Sequence, residues 1–186
     1  MPQQPASLRQ ALRDRTGPRH DALDAAMGAL DLAKREDYIR FLTIQHTARS
    51  GIEAWLTRNA PSDLTPPVTT DLIAQDLRDL GAPVPEFYTF PGHGLIPASA
   101  LGMAWTLAGS SLGNRSMLAD HRKTEGDDLK PAAFLSDKAT GIYFKKLLSR
   151  LDRPATPNDH YVFAGADAVF GHFLGVVGTH ARAHAA

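Results

Sequence analysis

The 186-residue chain contains no cysteine. That absence excludes disulfide bridges, thiolate zinc sites, iron–sulfur clusters and a cysteine nucleophile. Net charge is also missing, since 20 Lys and Arg stand against 20 Asp and Glu. A neutral chain has no overall field to draw in nucleic acid or an anionic membrane, so any basic site must be local. The opening residues "MPQQPASLRQ" lack the apolar run of a secretory signal, and a cytoplasmic protein is expected. No stretch alternates with a period of two for long enough to argue a strand. Internal repeats, phosphate loops and a domain-scale linker are absent too. These exclusions leave an all-α chain, expected to form one domain over residues 1–186.

What is present is helical periodicity punctuated by proline and glycine. Ser7 followed by Gln10 has the form of a capping box that starts a helix bearing Leu8 and Leu12. "REDYIRFLTIQHTARSGIEAWLTRN" carries Tyr38, Phe41, Leu42, Gln45, Ile52, Trp55 and Leu56 on one face. "TDLIAQDLRDLG" is a shorter helix stopped by Gly81, followed by the loop "APVPEFYTFPGHGLIP". Further helices are expected up to about Leu118, from Ser136 to Leu151, and from about Asn158 to Thr179, with "DHRKTEGDDLKP" as a solvated loop. The uncharged segment Leu95 to Gly113 has roughly the length of a membrane span. Its Pro97, Ser99, Thr106, Ser110 and Ser111 favour a buried core helix instead.

Two stretches carry candidate chemistry. In "TGPRHDALD" the apolar stripe Leu8, Leu12, Leu23, Met27 and Leu30 passes through Thr16 and His20, which turns the imidazole inward. Gly17-Pro18 just before it normally interrupts a helix, so a restart near Pro18 is expected. On pattern alone, His20 reads more readily as a core histidine bonded to a carbonyl than as a metal ligand. Asp24, four residues on, shares its face and could fix the tautomer of a metal-bound ring. Arg13, about two turns earlier, either reaches a ligand's acidic groups or is a solvated surface charge. The second stretch, "ALGMAWTLAGSSLGNRSML", places Gly102, Gly109 and Gly113 in one helix, each costing about 1 kcal/mol relative to alanine. Tight helix packing at Gly109 and Gly113, or a flat ligand pressed on the backbone, would each require them.

These stretches resemble a known family. "LRDRTGPRHDALD" is similar to the proximal helix of the biliverdin-producing heme oxygenases, and "REDYIRFL" to the helix that follows it. "DLRDLG" and "LAGSSLGNR" resemble segments of the bacterial, bacteriophytochrome-associated branch, the latter its glycine-rich distal helix. "ADAVFGHF" is similar to the last core helix, so the likeness spans nearly the whole chain in the expected order.

The resemblance implies heme held between two helices as cofactor and substrate, with His20 its axial ligand and Asp24 behind it. It implies a distal group of Gly109, Ser110, Gly113 and Asn114, with Arg13, Lys145 and Arg150 toward the propionates and Phe170 packing on the ring. The implied reaction uses dioxygen and an electron donor such as ferredoxin or a reductase. It opens heme to biliverdin with release of carbon monoxide and ferrous iron, and a bacteriophytochrome is an implied recipient. The sequence departs from the family at Ser110, where many members carry aspartate, at Ala108 in place of a glutamate, and at Asn114 in place of a glycine. Gly17-Pro18 also replaces ordinary helix formers. An alternative is a relative that binds heme or another tetrapyrrole without degrading it. A third reading is a helical protein without heme whose fold serves protein contacts.

Overall fold

The computed structural model describes residues 6–125 and 131–185. Six α-helices follow one another: α1 Leu8–Gly28, α2 Arg35–Asn59, α3 Thr70–Asp79, α4 Ala100–Glu125, α5 Ala139–Leu151 and α6 His160–Ala185. Among the described residues the extended pairing is a single antiparallel bridge, Ser7 to Pro154. All-α is therefore the observed class.

Ser7 caps α1 by accepting a hydrogen bond from the Gln10 N–H at 3.2 Å. The reciprocal half of the box is replaced, because the Gln10 amide donates to Asp14 instead. The restart expected at Pro18 does not occur: α1 is one continuous helix with Pro18 inside it. Proline removes one backbone bond there, but Pro18 lies on the exposed face of the helix. Tertiary clamps on either side outweigh the local break. Leu8, Leu12, Thr16 and Met27 are buried, and Arg15 and Arg19 both grip Asp167 of α6 at 2.8 and 2.6 Å.

Helix α2 spans the expected segment and supplies much of the core through Phe41, Leu42, Ile52 and Leu56. Its Glu53 reaches the start of α3, where the backbone N–H groups and hydroxyls of Thr69 and Thr70 donate to the carboxylate. Gly81, at φ 63°, ends that helix in the left-handed region, as the sequence implied. Asp76, wholly buried, accepts the N–H groups of Ala133 and Phe134 and so ties α3 to the segment before α5. Burial raises its carboxyl above the usual range, while these two bonds hold it down.

Helices α4 and α6 cross at close range. A Cβ at Gly102 would overlap the Val162 carbonyl, and one at Gly165 would overlap the Ser99 carbonyl. Close packing of small residues thus belongs to Gly102 and Gly165, not to the Gly109 and Gly113 pair. Helix α4 continues to Glu125, past the expected end at Leu118, so the first part of "DHRKTEGDDLKP" is helical. Residues 126–130 of that stretch lie outside the described residues. Helix α5 starts at Ala139, later than expected, because Asp137 accepts the N–H groups of Ala139 and Thr140. Helix α6 runs on to Ala185, past the expected end at Thr179.

Among the described residues, the helix long and apolar enough to cross a membrane is Pro157–Arg182, with a mean hydropathy of 1.4, rather than the 95–113 segment. It packs against α1, α2 and α4, and 39% of its apolar window is buried by that packing.

Candidate functional site

Two surfaces hold the residues singled out above. On the first, α1 presents His20 outward: its side chain is 57% exposed, not turned into the core as the stripe suggested. Leu8, Leu12, Thr16 and Met27 occupy the buried line, while Leu23 lies half-buried. A cumulative offset along the helix therefore carries His20 off that line. Its Nδ1 lies 3.1 Å from an Asp24 carboxylate oxygen, which leaves Nε2 as the nitrogen for a ligand. The Phe170 ring of α6 stands edge-on to the imidazole with centroids 6.1 Å apart. Arg15 and Arg19 fix the register of α1 on α6 through Asp167, and so fix where His20 stands. Arg13 is exposed on the same helix.

The second surface is the middle of α4. Gly113 faces open space, with nothing within 4 Å of a Cβ built there. A Cβ at Gly109 would sit 3.6 Å from the Phe144 ring of α5, an ordinary contact. Ser110 points toward α2. Its hydroxyl accepts a hydrogen bond from an Arg49 terminal nitrogen at 2.6 Å and donates to the Leu107 carbonyl at 2.8 Å. Asn114 lines a small cavity beside it. Lys145 is exposed on α5, and Arg150 of the same helix is paired with Asp63.

Sequence reasoning missed the group behind Ser110. Arg49 is 2% exposed, yet it is a full guanidinium inside a helical protein. Its Nε donates to Gln45 at 3.0 Å, its terminal nitrogens to Thr69 and Ser110, and its plane lies over the Phe134 ring. Glu53 stands 3.8 Å away as the opposite charge. Burial lowers the Arg49 pKa, and the Glu53 charge opposes that shift. The signal was legible in principle: Gln45, Arg49 and Glu53 recur every four residues on the face that also carries Phe41, Ile52 and Leu56. Polar residues at that spacing on an apolar face call for an internal network.

No protein-family model and no curated protein matches the sequence. The structure is similar to that of a heme oxygenase from Neisseria meningitidis, solved with nitric oxide and carbon monoxide bound. The two share a TM-score of 0.69 and 20% identity over 94% of this chain and 92% of that one. This chain has the heme oxygenase fold. Within that fold, α1 bears the candidate axial histidine and α4 the glycine-rich stretch.

The residues present suit a flat, iron-centred ligand. An exposed imidazole has its tautomer set by a carboxylate, an aromatic edge stands beside it, and Arg13 and Lys145 are exposed cations for acidic groups.

Proposed function

We propose that the protein is a heme oxygenase that binds heme and opens it to biliverdin, using dioxygen and an electron donor. The observation that carries this reading is the His20–Asp24 pair beside Phe170, exposed on a helix of the heme oxygenase fold. When bound, heme supplies the iron for oxygen activation and is itself the ring that is opened. His20 Nε2 would hold the iron, with Asp24 keeping the proton on Nδ1 and so fixing the orientation of the ring. Phe170 would pack on the ring, and Arg13 and Lys145 would pair with the propionates. Arg150, engaged by Asp63, serves chiefly to tether α5. Gly113 leaves room for close approach of the flat ligand to the α4 backbone. Ferredoxin or a reductase supplies the electrons in the cytoplasm, and a bacteriophytochrome is a candidate recipient of biliverdin.

A second reading, heme binding without turnover, is favoured by one observation. Both hydrogen-bonding capacities that Ser110 uses are directed to Arg49 and Leu107, away from a ligand over Gly113. Titration with hemin, followed by an electron donor under air, separates the readings. A Soret band that saturates at one heme per chain, is altered in His20→Ala, and decays to biliverdin absorbance supports the enzyme. A band that survives reduction and oxygenation supports the non-catalytic relative. If no band forms, both fall.

A further inference from the structure

Between α3 and α4 the chain runs as an extended strap over residues 83–91. Gly51 of α2 lets it sit close, because a Cβ there would lie 2.4 Å from both the Tyr88 carbonyl and the Phe90 nitrogen. Phe90 is buried, but Phe87 and Tyr88 are 60% and 49% exposed. Polar attachment is thin. Among the described residues, residues 83–91 are hydrogen-bonded to the helices through the Ser50 hydroxyl and the Tyr88 backbone, at 3.2 and 3.4 Å. A segment held this way belongs to the part of a fold that opens locally.

The strap closes on a histidine. Above His172 of α6 stand the Phe90 ring, edge-on with centroids 5.1 Å apart, and the Tyr88 ring at 5.6 Å. His172 Nε2 is buried without a hydrogen-bond partner among the described residues. A neutral imidazole tolerates this, since it can carry its proton on Nδ1 and leave Nε2 a bare acceptor. A second proton would make Nε2 a buried donor with no acceptor, on a ring that also becomes charged. The two aromatic rings and the Ala48 carbonyl face the imidazole, and no carboxylate stands among them. Burial lowers the His172 pKa, and the Ala48 carbonyl opposes that shift more weakly.

We propose that residues 83–91 form a pH-released strap, held shut while His172 is neutral and opened when that ring takes up a proton. A base whose pKa is depressed by closure supports the closed state fully above its ordinary value of 6.5. That support is given up as pH falls below it, and for one proton the open fraction can rise by up to about tenfold per pH unit. His46 of α2 is the competing trigger. It lies one turn before Ser50 and lines, with Phe87, a groove of about 440 Å³. Its Nδ1 is also without a partner, and burial leads in lowering its pKa. There, however, Glu53 and Asp71 favour the charged ring against Arg78, so a proton on His46 is met by carboxylates. His172 has no such counter-charge, and this assigns the trigger to it. Opening would also remove the Phe87 wall of the groove.

Hydrogen exchange of the ligand-free protein at about pH 7.5 and pH 5.0 tests the strap, each rate corrected for the intrinsic pH dependence of exchange. The opening constant at the Tyr88 amide is expected to rise about tenfold or more at the lower pH, with the interior amides of α2 and α6 unchanged. That rise should vanish in His172→Phe, which keeps a ring under the strap with no proton to gain. His172→Gln serves if that variant does not fold. Equal protection at both pH values overturns the strap, as does a loss shared with α2 and α6, which is global unfolding. A rise that persists in the His172 variants, or one that disappears only in His46→Gln, overturns the assignment to His172. No hemin enters the experiment, so its outcome is independent of the heme oxygenase reading.

Discussion

The two polar constellations of this molecule stand in opposite environments. On α1, His20 and Asp24 have side chains 57% and 66% exposed. On α2, Arg49 and Glu53 are 2% and 5% exposed. An exposed pair contributes little to stability, about 0–1 kcal/mol, whereas breaking a buried network strands a desolvated charge. Each constellation therefore has a different dependence. The α1 pair can be altered without cost to the fold, and this is the freedom expected of a ligand-binding residue. The α2 network cannot, because it joins α2 to α3 through Thr69 and to α4 through Ser110.

Substitutions can break this contrast or sharpen it. The largest effect is expected at Arg49→Met, with a loss of about 3–5 kcal/mol in urea unfolding, since Gln45, Thr69 and Glu53 lose their shared partner. A loss below 1 kcal/mol would mean that the buried and exposed groups do not differ as argued. Next comes Gly102→Ala, expected to cost about 2–3 kcal/mol because its Cβ meets the Val162 carbonyl, which cannot swing aside.

Gly113→Ala should act in the opposite direction. It faces open space, so stability should rise by up to about 1 kcal/mol while hemin binding weakens. Calorimetry and a hemin titration on one preparation check both signs.

A pH effect of similar size arises far from either constellation. Asp159 accepts hydrogen bonds from Arg153 and the Thr156 backbone, and the Arg153 bonds lead in holding its pKa at about 2 against an ordinary 3.8. A lowered carboxylate stabilises the fold above its unfolded pKa and loses that contribution as pH falls through the folded one. On the order of 1 kcal/mol, discounted for the half-exposed Arg153, should disappear between about pH 4 and pH 2. Asp159→Asn should flatten that part of the acid unfolding profile. The smallest stability change is expected for His20→Ala, within about 0.5 kcal/mol, together with an altered or lost Soret band. A large destabilisation there would return His20 to a structural role.

Much of the fold was legible before the structure. Helix α2 ran over the expected residues and α3 stopped at Gly81, because a sustained apolar period and a glycine past the helix end are strong local signals. The boundaries of α1, α4 and α5 were less legible. Pro18 sits inside α1 because Arg15 and Arg19 hold Asp167 from both sides of the break, and that partner is distant in the sequence. At the site, the i, i+4 spacing of His20 and Asp24 predicted a contact that the structure contains. The same spacing put His20 on the wrong side of the helix, since a stripe followed by steps of three and four cannot resolve which edge of it faces solvent.

By itself, the sequence determined the helical class, the order of the helices and the adjacency of His20 to Asp24. All three depend on contacts within a few residues, which composition and periodicity report directly. Only the tertiary structure decided that α1 passes unbroken through proline, that Gly102 rather than Gly109 takes the close helix crossing, and that Ser110 belongs to Arg49. Each of those outcomes turns on a partner from a separate helix, and local pattern carries no record of which helix will supply it.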